Sequence, residues 1–202
     1  MRRFVDLALP PQCAACDNAV EVQGRLCADC FGRTQFIAAP MCVRCGVPFA
    51  SAGQAGAAAV CPGCVERPPV FRSARAALRY DEQARRLILP LKHGDRVELA
   101  AILALAIGRL AKLPVQPDAL IRTRQTAPLE EKGPEERAME VAGSFAVRAA
   151  RRGAITGRRV VLIDDVMTSG ATGSACAAAL LAAGAQAVDV LVAARVPDPR
   201  LR

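Results

Sequence analysis

The chain has 202 residues, room for one large domain or for one domain with a small module. Apolar residues make up 52%, enough for a core, while aromatics make up only 3% and leave few platforms for base stacking. The 27 Lys and Arg against 19 Asp and Glu give a formal charge of +8, which favours polyanionic partners without choosing between nucleic acid and a phosphorylated substrate.

Residues 1–11, MRRFVDLALPP, hold an apolar stretch too short and interrupted for a signal peptide or a membrane span. No later run reaches spanning length, so the expectation is a cytoplasmic protein with no membrane insertion.

Eight of the nine cysteines then form four CxxC pairs: Cys13/Cys16, Cys27/Cys30, Cys42/Cys45 and Cys61/Cys64. Two residues between thiolates let one tight turn aim both sulfurs at one metal ion, and two such turns complete a tetrahedral site. Ten residues separate the pairs of the first unit and fifteen those of the second, the spacing of zinc ribbons. Disulfides are the competing reading, and a chain without an export signal argues against them. The expectation is two closed, structural Zn2+ sites, with sequential pairing the simplest assignment and crossed pairing the alternative. Arg25, Arg33, Arg44 and Arg67 decorate the unit, which is compatible with a ribbon that docks nucleic acid or protein, while a merely structural ribbon is the default.

Residues 51–60 read as a small-residue loop inside the second ribbon, and Pro68-Pro69 ends the module. The division is therefore 1–69, a double zinc ribbon, and 70–202, a second domain. Residues 74–80 predict a strand and 81–92 a helix kinked at Pro90. Residues 92–95 make a basic turn holding His93, the single histidine. A helix is predicted over about 97–113, a short strand over 118–122, and a mobile loop over 126–136. Residues 144–147 and 186–194 predict two more strands.

The segment 158–180, RRVVLIDDVMTSGATGSACAAAL, carries the chemistry. Val160, Val161, Leu162 and Ile163 form the continuous apolar run of a strand buried on both faces of a parallel sheet. Asp164 and Asp165 follow, then the small, hydroxyl-rich loop Thr168, Ser169, Gly170, Ala171, Thr172, Gly173 and Ser174, then an alanine-rich helix. Gly170 and Gly173 allow a sharp turn and close approach of the backbone to a ligand, and the helix N-terminus adds partial positive charge. Such a loop cradles a phosphate, and the carboxylates suit a sugar diol or Mg2+. Cys176 reads as a small buried apolar residue. Neither a P-loop nor a dinucleotide-binding glycine pattern is present.

These residues carry a resemblance. Residues 160–172 resemble the phosphoribosyl pyrophosphate (PRPP) motif of type I phosphoribosyltransferases. The order of the whole chain resembles the ComF family, through the four CxxC pairs, AALRY at 76–80, LKHGD at 91–95, Arg122-Thr123-Arg124, Gly143-Ser144-Phe145 and IDDVMTSGAT. The resemblance implies an α/β fold, a parallel-sheet phosphoribosyltransferase-like domain behind a double zinc ribbon. It implies that Asp164 and Asp165 are catalytic and hold the ribose hydroxyls. Thr168, Ser169, Gly170, Ala171 and Thr172 would then bind the 5′-phosphate of PRPP or a nucleotide, with Mg2+. It also implies association with DNA uptake in competence. The chain departs from the family between the helix ending near 113 and the strand at 118. There, about thirty-odd residues, a βα unit with a basic pyrophosphate loop, have no counterpart. Leu129 stands where the family favours Gln, and Glu140 where it favours Asn.

Three functions follow as expectations. The chain is a PRPP-using transferase; or it binds PRPP or a nucleotide without turnover; or it is a competence factor that engages single-stranded DNA and competence proteins through its basic surface.

Overall fold

The paired cysteines organise the first third of the chain, and the computed structural model, which describes residues 10–16, 18–88, 96–125 and 133–201, shows two modules on one plan. In each, the first CxxC sits in a turn closed by a single antiparallel bridge, Gln12 with Ala19 and Met41 with Pro48. The second CxxC opens a short helix. Cys27 precedes α1 (Ala28–Arg33), whose Asp29 and Arg33 match the helix dipole at its two ends. The expected loop at 51–60 instead holds a one-turn helix, α2 (Ala52–Ala55), because the Ser51 hydroxyl accepts from the Gln54 N–H and caps it. Cys61 precedes α3 (Pro62–Glu66), where proline takes the first helical position at no hydrogen-bond cost.

The rest is mixed α/β. Strand β1 (Ser73–Arg79) leads to α4 (Glu82–Ile88), whose first turn is tied by the Asp81 carboxylate accepting from the Ala84 N–H at 2.8 Å. The predicted kink at Pro90 and the basic turn at 92–95 lie outside the described residues. Helix α5 (Arg96–Ala111) ends in a loop over 112–119 that passes directly into β2 (Leu120–Arg122). The predicted mobile loop is corrected at its end. Pro134 starts α6 (Pro134–Val141), and the Glu136 carboxylate accepts from the Gly133 N–H at 2.8 Å. Residues 126–132, Leu129 among them, lie outside the described residues. Then come β3 (Phe145–Val147), the single turn α7 (Arg152–Ile155), β4 (Arg159–Met167), α8 (Ala171–Ala182) and β5 (Ala187–Arg195).

The three long strands form a parallel sheet in the order β1-β5-β4. Among the described residues the two short strands pair with each other, antiparallel, with Ile121 opposite Ala146. The sequence put the strand at 160–163 in a doubly buried place, and the structure overturns this. The strand is longer and sits at the edge of the sheet, with Val161 48% exposed. Strand β5 is the central one, and Val188, Val190, Val192 and Ala194 are all within 3% of full burial. Among the described residues no strand lies beyond β4, since the chain between α5 and β2 is only a short loop.

The main core joins these valines to Phe71, Ala74, Ile155, Met167, Ala177 and Leu180. Alanines along α8 let the helix backbone lie close to the sheet. The cysteine modules are built into this framework. Residues 35–37 run along β1, where the Ile37 N–H donates to Ala77 O and the Arg79 N–H to Gln35 O, both at 2.9 Å. At the far end of the chain, Leu201 is buried in the second module's core with Val47 and Phe49. Arg200 reaches Glu66 at 3.0 Å beside it.

Candidate functional site

Among the described residues, three groups are arranged to hold a ligand or a metal. In the first module the sulfurs of Cys13, Cys16, Cys27 and Cys30 lie within 4.8 Å of one another, and in the second those of Cys42, Cys45, Cys61 and Cys64 do the same. Sulfurs placed about 2.3 Å from one ion at tetrahedral angles are about 3.8 Å apart. The observed separations include 3.8 Å for Cys16–Cys27, 3.6 Å for Cys16–Cys30 and 3.5 Å for Cys45–Cys61. Pairing is therefore sequential, and all nine cysteines are outside disulfides.

Backbone N–H groups point at the sulfurs, the arrangement that suits thiolates. Cys27 N–H donates to Cys13 Sγ at 3.3 Å and Ala15 N–H at 3.5 Å, which brings the Cys13 thiol down to about 6. Cys42 Sγ accepts from the N–H groups of Cys61 at 3.4 Å and Cys45 at 3.5 Å. The thiols of Cys45, Cys61 and Cys64 beside it, with those N–H donors, hold Cys42 far below the usual thiol value. These residues fit Zn2+. The second site is wholly buried, whereas Cys16 and Cys27 leave the first half-open.

The third group is a shallow hollow at the carboxyl end of β4, lined by Asp164, Val166, Met167, Thr168, Gly170, Ala171, Thr172 and Gly173. Asp164 and Asp165 do not follow the strand as expected; they are inside it. Asp164 lines the hollow and Asp165 does not. The helix also starts earlier than expected, at Ala171, which leaves Thr168, Ser169 and Gly170 as the turn. Gly170 is in the left-handed region at φ +84°, which few residues other than glycine adopt. Gly173 faces the Phe71 ring beneath the hollow, where a Cβ would make ordinary contact at 3.4 Å.

The first bond within α8 runs from Ser174 N–H to Gly170 O at 2.9 Å. The N–H groups of Ala171, Thr172 and Gly173 precede it and carry the positive end of the helix dipole. Ser169 is turned to the helix, its hydroxyl accepting from Ala171 N–H at 3.4 Å. Cys176 is 6% exposed, and burial pushes its thiol up to about 12, which suits the apolar role expected of it. Glu140 does not line the hollow; its carboxylate lies 3.6 Å from Arg124.

Residues 4–65 match the family model described as Double zinc ribbon domain. That match takes in all eight clustered cysteines. No curated protein and no solved structure matches the chain. The double ribbon with two four-cysteine zinc sites accordingly rests on both sequence and geometry. No helix among the described residues is long and apolar enough to cross a membrane.

Sequence reasoning missed Val166, Met167 and the supporting Phe71 at the hollow. It also missed Arg195, which is 7% exposed and lies between the second ribbon and the Thr168 turn. One signal was available, a lone cation ending the apolar run of β5.

Proposed function

We propose that this is a ComF-like member of the phosphoribosyltransferase group that binds PRPP or a nucleotide 5′-phosphate. The observation that carries the reading is that Asp164 shares one hollow with Thr168, Gly170, Ala171 and Thr172 at the N-terminus of α8, directly after a parallel strand. In this reading the α8 N–H groups and the Thr168 and Thr172 hydroxyls hold the 5′-phosphate. The Asp164 carboxylate accepts from the ribose hydroxyls, with Asp165 behind it in the strand. Mg2+, when bound with PRPP, supplies charge neutralisation for the leaving pyrophosphate. The hollow has a cavity volume of about 20 Å³, room for about one water or one phosphate oxygen, so the sugar lies across its open side.

A calorimetric titration with PRPP and Mg2+, beside an Asp164→Asn variant, tests this. Binding in the parent and at least tenfold weaker binding in the variant supports the reading, and no binding to a folded, zinc-loaded parent ends it.

The short loop between α5 and β2 favours a second reading, binding without turnover, because it stands where the resemblance leads one to expect a βα unit with a basic pyrophosphate loop. It predicts saturable PRPP binding with no pyrophosphate released under any acceptor. A role in DNA uptake, with single-stranded DNA or competence proteins as partners, belongs to the same family reading. Salt-dependent DNA binding that needs Arg25, Arg33 and Arg44 would support it.

A further inference from the structure

We propose that Arg195 is a positioning residue that makes the turn of the hollow depend on metal in the second ribbon. The part of this that concerns anion binding rests on the phosphate reading above.

Arg195 ends the central strand and is almost wholly buried, where an uncompensated cation is costly. Its guanidinium divides between two structures. On one side Nε donates to Cys45 O at 3.3 Å and Nη2 to Cys45 Sγ at 3.7 Å. On the other Nη1 donates to Met167 O at 3.1 Å and, more closely, to Thr168 O, with Val196 O at 2.8 Å. Of these partners only the Cys45 sulfur can carry a full negative charge. A zinc ion with four thiolates has a formal charge of about −2, so a loaded site gives the buried guanidinium its counter-charge. The first ribbon has an arginine on a sulfur too, Arg33 on Cys30 at 3.7 Å, but Arg33 is solvent-exposed.

The other arm decides what the turn presents. A trans peptide unit is planar, with its C=O and N–H pointing opposite ways. The Met167 carbonyl is also held by the Val196 N–H at 2.9 Å, so the carbonyl that Arg195 controls is that of Thr168. By drawing it towards the ribbon, Arg195 turns the Ser169 N–H away from it, as a donor for an anion seated over α8. Loss of metal from Cys42, Cys45, Cys61 and Cys64 withdraws the counter-charge, loosens the guanidinium and releases the Thr168 carbonyl.

The test compares backbone 15N order parameters at residues 168–173 in the zinc-loaded parent, Cys64→Ser and Arg195→Lys, with zinc per chain and PRPP affinity measured on each. Cys64→Ser is expected to keep one zinc and to lower the order parameters of the turn from about 0.85 to below about 0.6, with residues 160–163 unchanged. Arg195→Lys keeps the charge but not the fork. It is expected to keep two zinc ions, to lower the same order parameters, and to bind PRPP at least fivefold more weakly. Unchanged order at 168–173 in a folded Cys64→Ser overturns the dependence on metal, and unchanged order there in a folded Arg195→Lys overturns the role of the fork. Failure of PRPP to bind the parent, with the change in order intact, removes the phosphate reading and leaves the coupling standing.

Discussion

Gly46 lies so close to β1 that a Cβ on it would stand 2.7 Å from the Ala74 carbonyl oxygen. The neighbour is backbone in a paired strand and cannot step aside. Gly46 also has φ +69°, in the left-handed region. Gly46→Ala is therefore expected to cost about 2–4 kcal/mol, from strain and overpacking together. Gly170→Ala, which meets only ordinary contact with Phe71 at 3.6 Å, should cost about 1–2 kcal/mol. Urea denaturation with zinc in excess gives both values. An equal cost at the two positions would show that the ribbon–sheet junction yields.

The two ribbons differ in burial, and metal release should follow. Native mass spectrometry is expected to find two zinc ions per chain. A chromogenic chelator should take the metal of Cys13, Cys16, Cys27 and Cys30 first, because Cys16 and Cys27 are half-open while the second set is buried. Cys16→Ser should remove the fast phase and leave one zinc. A single-phase release shared by both sites would contradict this order.

Arg72 grips Asp189 with two bonds, Nε to Oδ1 at 2.9 Å and Nη2 to Oδ2 at 2.6 Å, and Ser73 adds a third at 2.7 Å. The Arg72 guanidinium, first among these, holds the Asp189 carboxyl below its ordinary 3.8. A depressed carboxylate contributes stability above its unfolded value, and that contribution is lost as pH falls through the folded one. Asp189→Asn should lower the melting midpoint at pH 7 by about 2 °C, small because Arg72 is largely exposed. The difference from the parent should shrink steadily as the pH drops below 3.8. The difference is the quantity to follow, since the cysteine sites also lose metal in acid.

Of the two acids, Asp164 lines the hollow and Asp165 does not. Asp164→Asn should weaken PRPP binding at least tenfold, about the loss of one charged hydrogen bond, and Asp165→Asn by less than about threefold. Titration of both variants checks this, and the reverse order would place the ligand on the other face of β4.

The cysteine pattern was legible because two-residue spacing has few uses, and the geometry joins each set as the spacing implied. The strand–turn–helix at 159–182 was legible for a similar reason, an apolar run meeting a glycine turn and an alanine helix. Its details were not. Continuous apolar residues at 160–163 match a buried strand whether or not a neighbour exists, so the edge position of β4 was invisible. The two acids interrupt the apolar run, yet β5 pairs through them, Asp164 opposite Val192, and carries the strand on to Met167. Arg195 was hidden because a cation at the end of a strand is ordinarily solvated, and only the fold brings Cys45 and Thr168 to it.

The arrangement of the sheet also bears on how such a chain can lengthen. Residues 35–37 occupy the outer side of β1, so that margin is closed by the ribbon, while β4 forms the opposite margin. Among the described residues that margin is open, so a strand and helix inserted between α5 and β2 would join beside β4. Longer and shorter versions of this architecture can therefore differ at that margin while keeping the ribbon and its seam with the sheet unaltered.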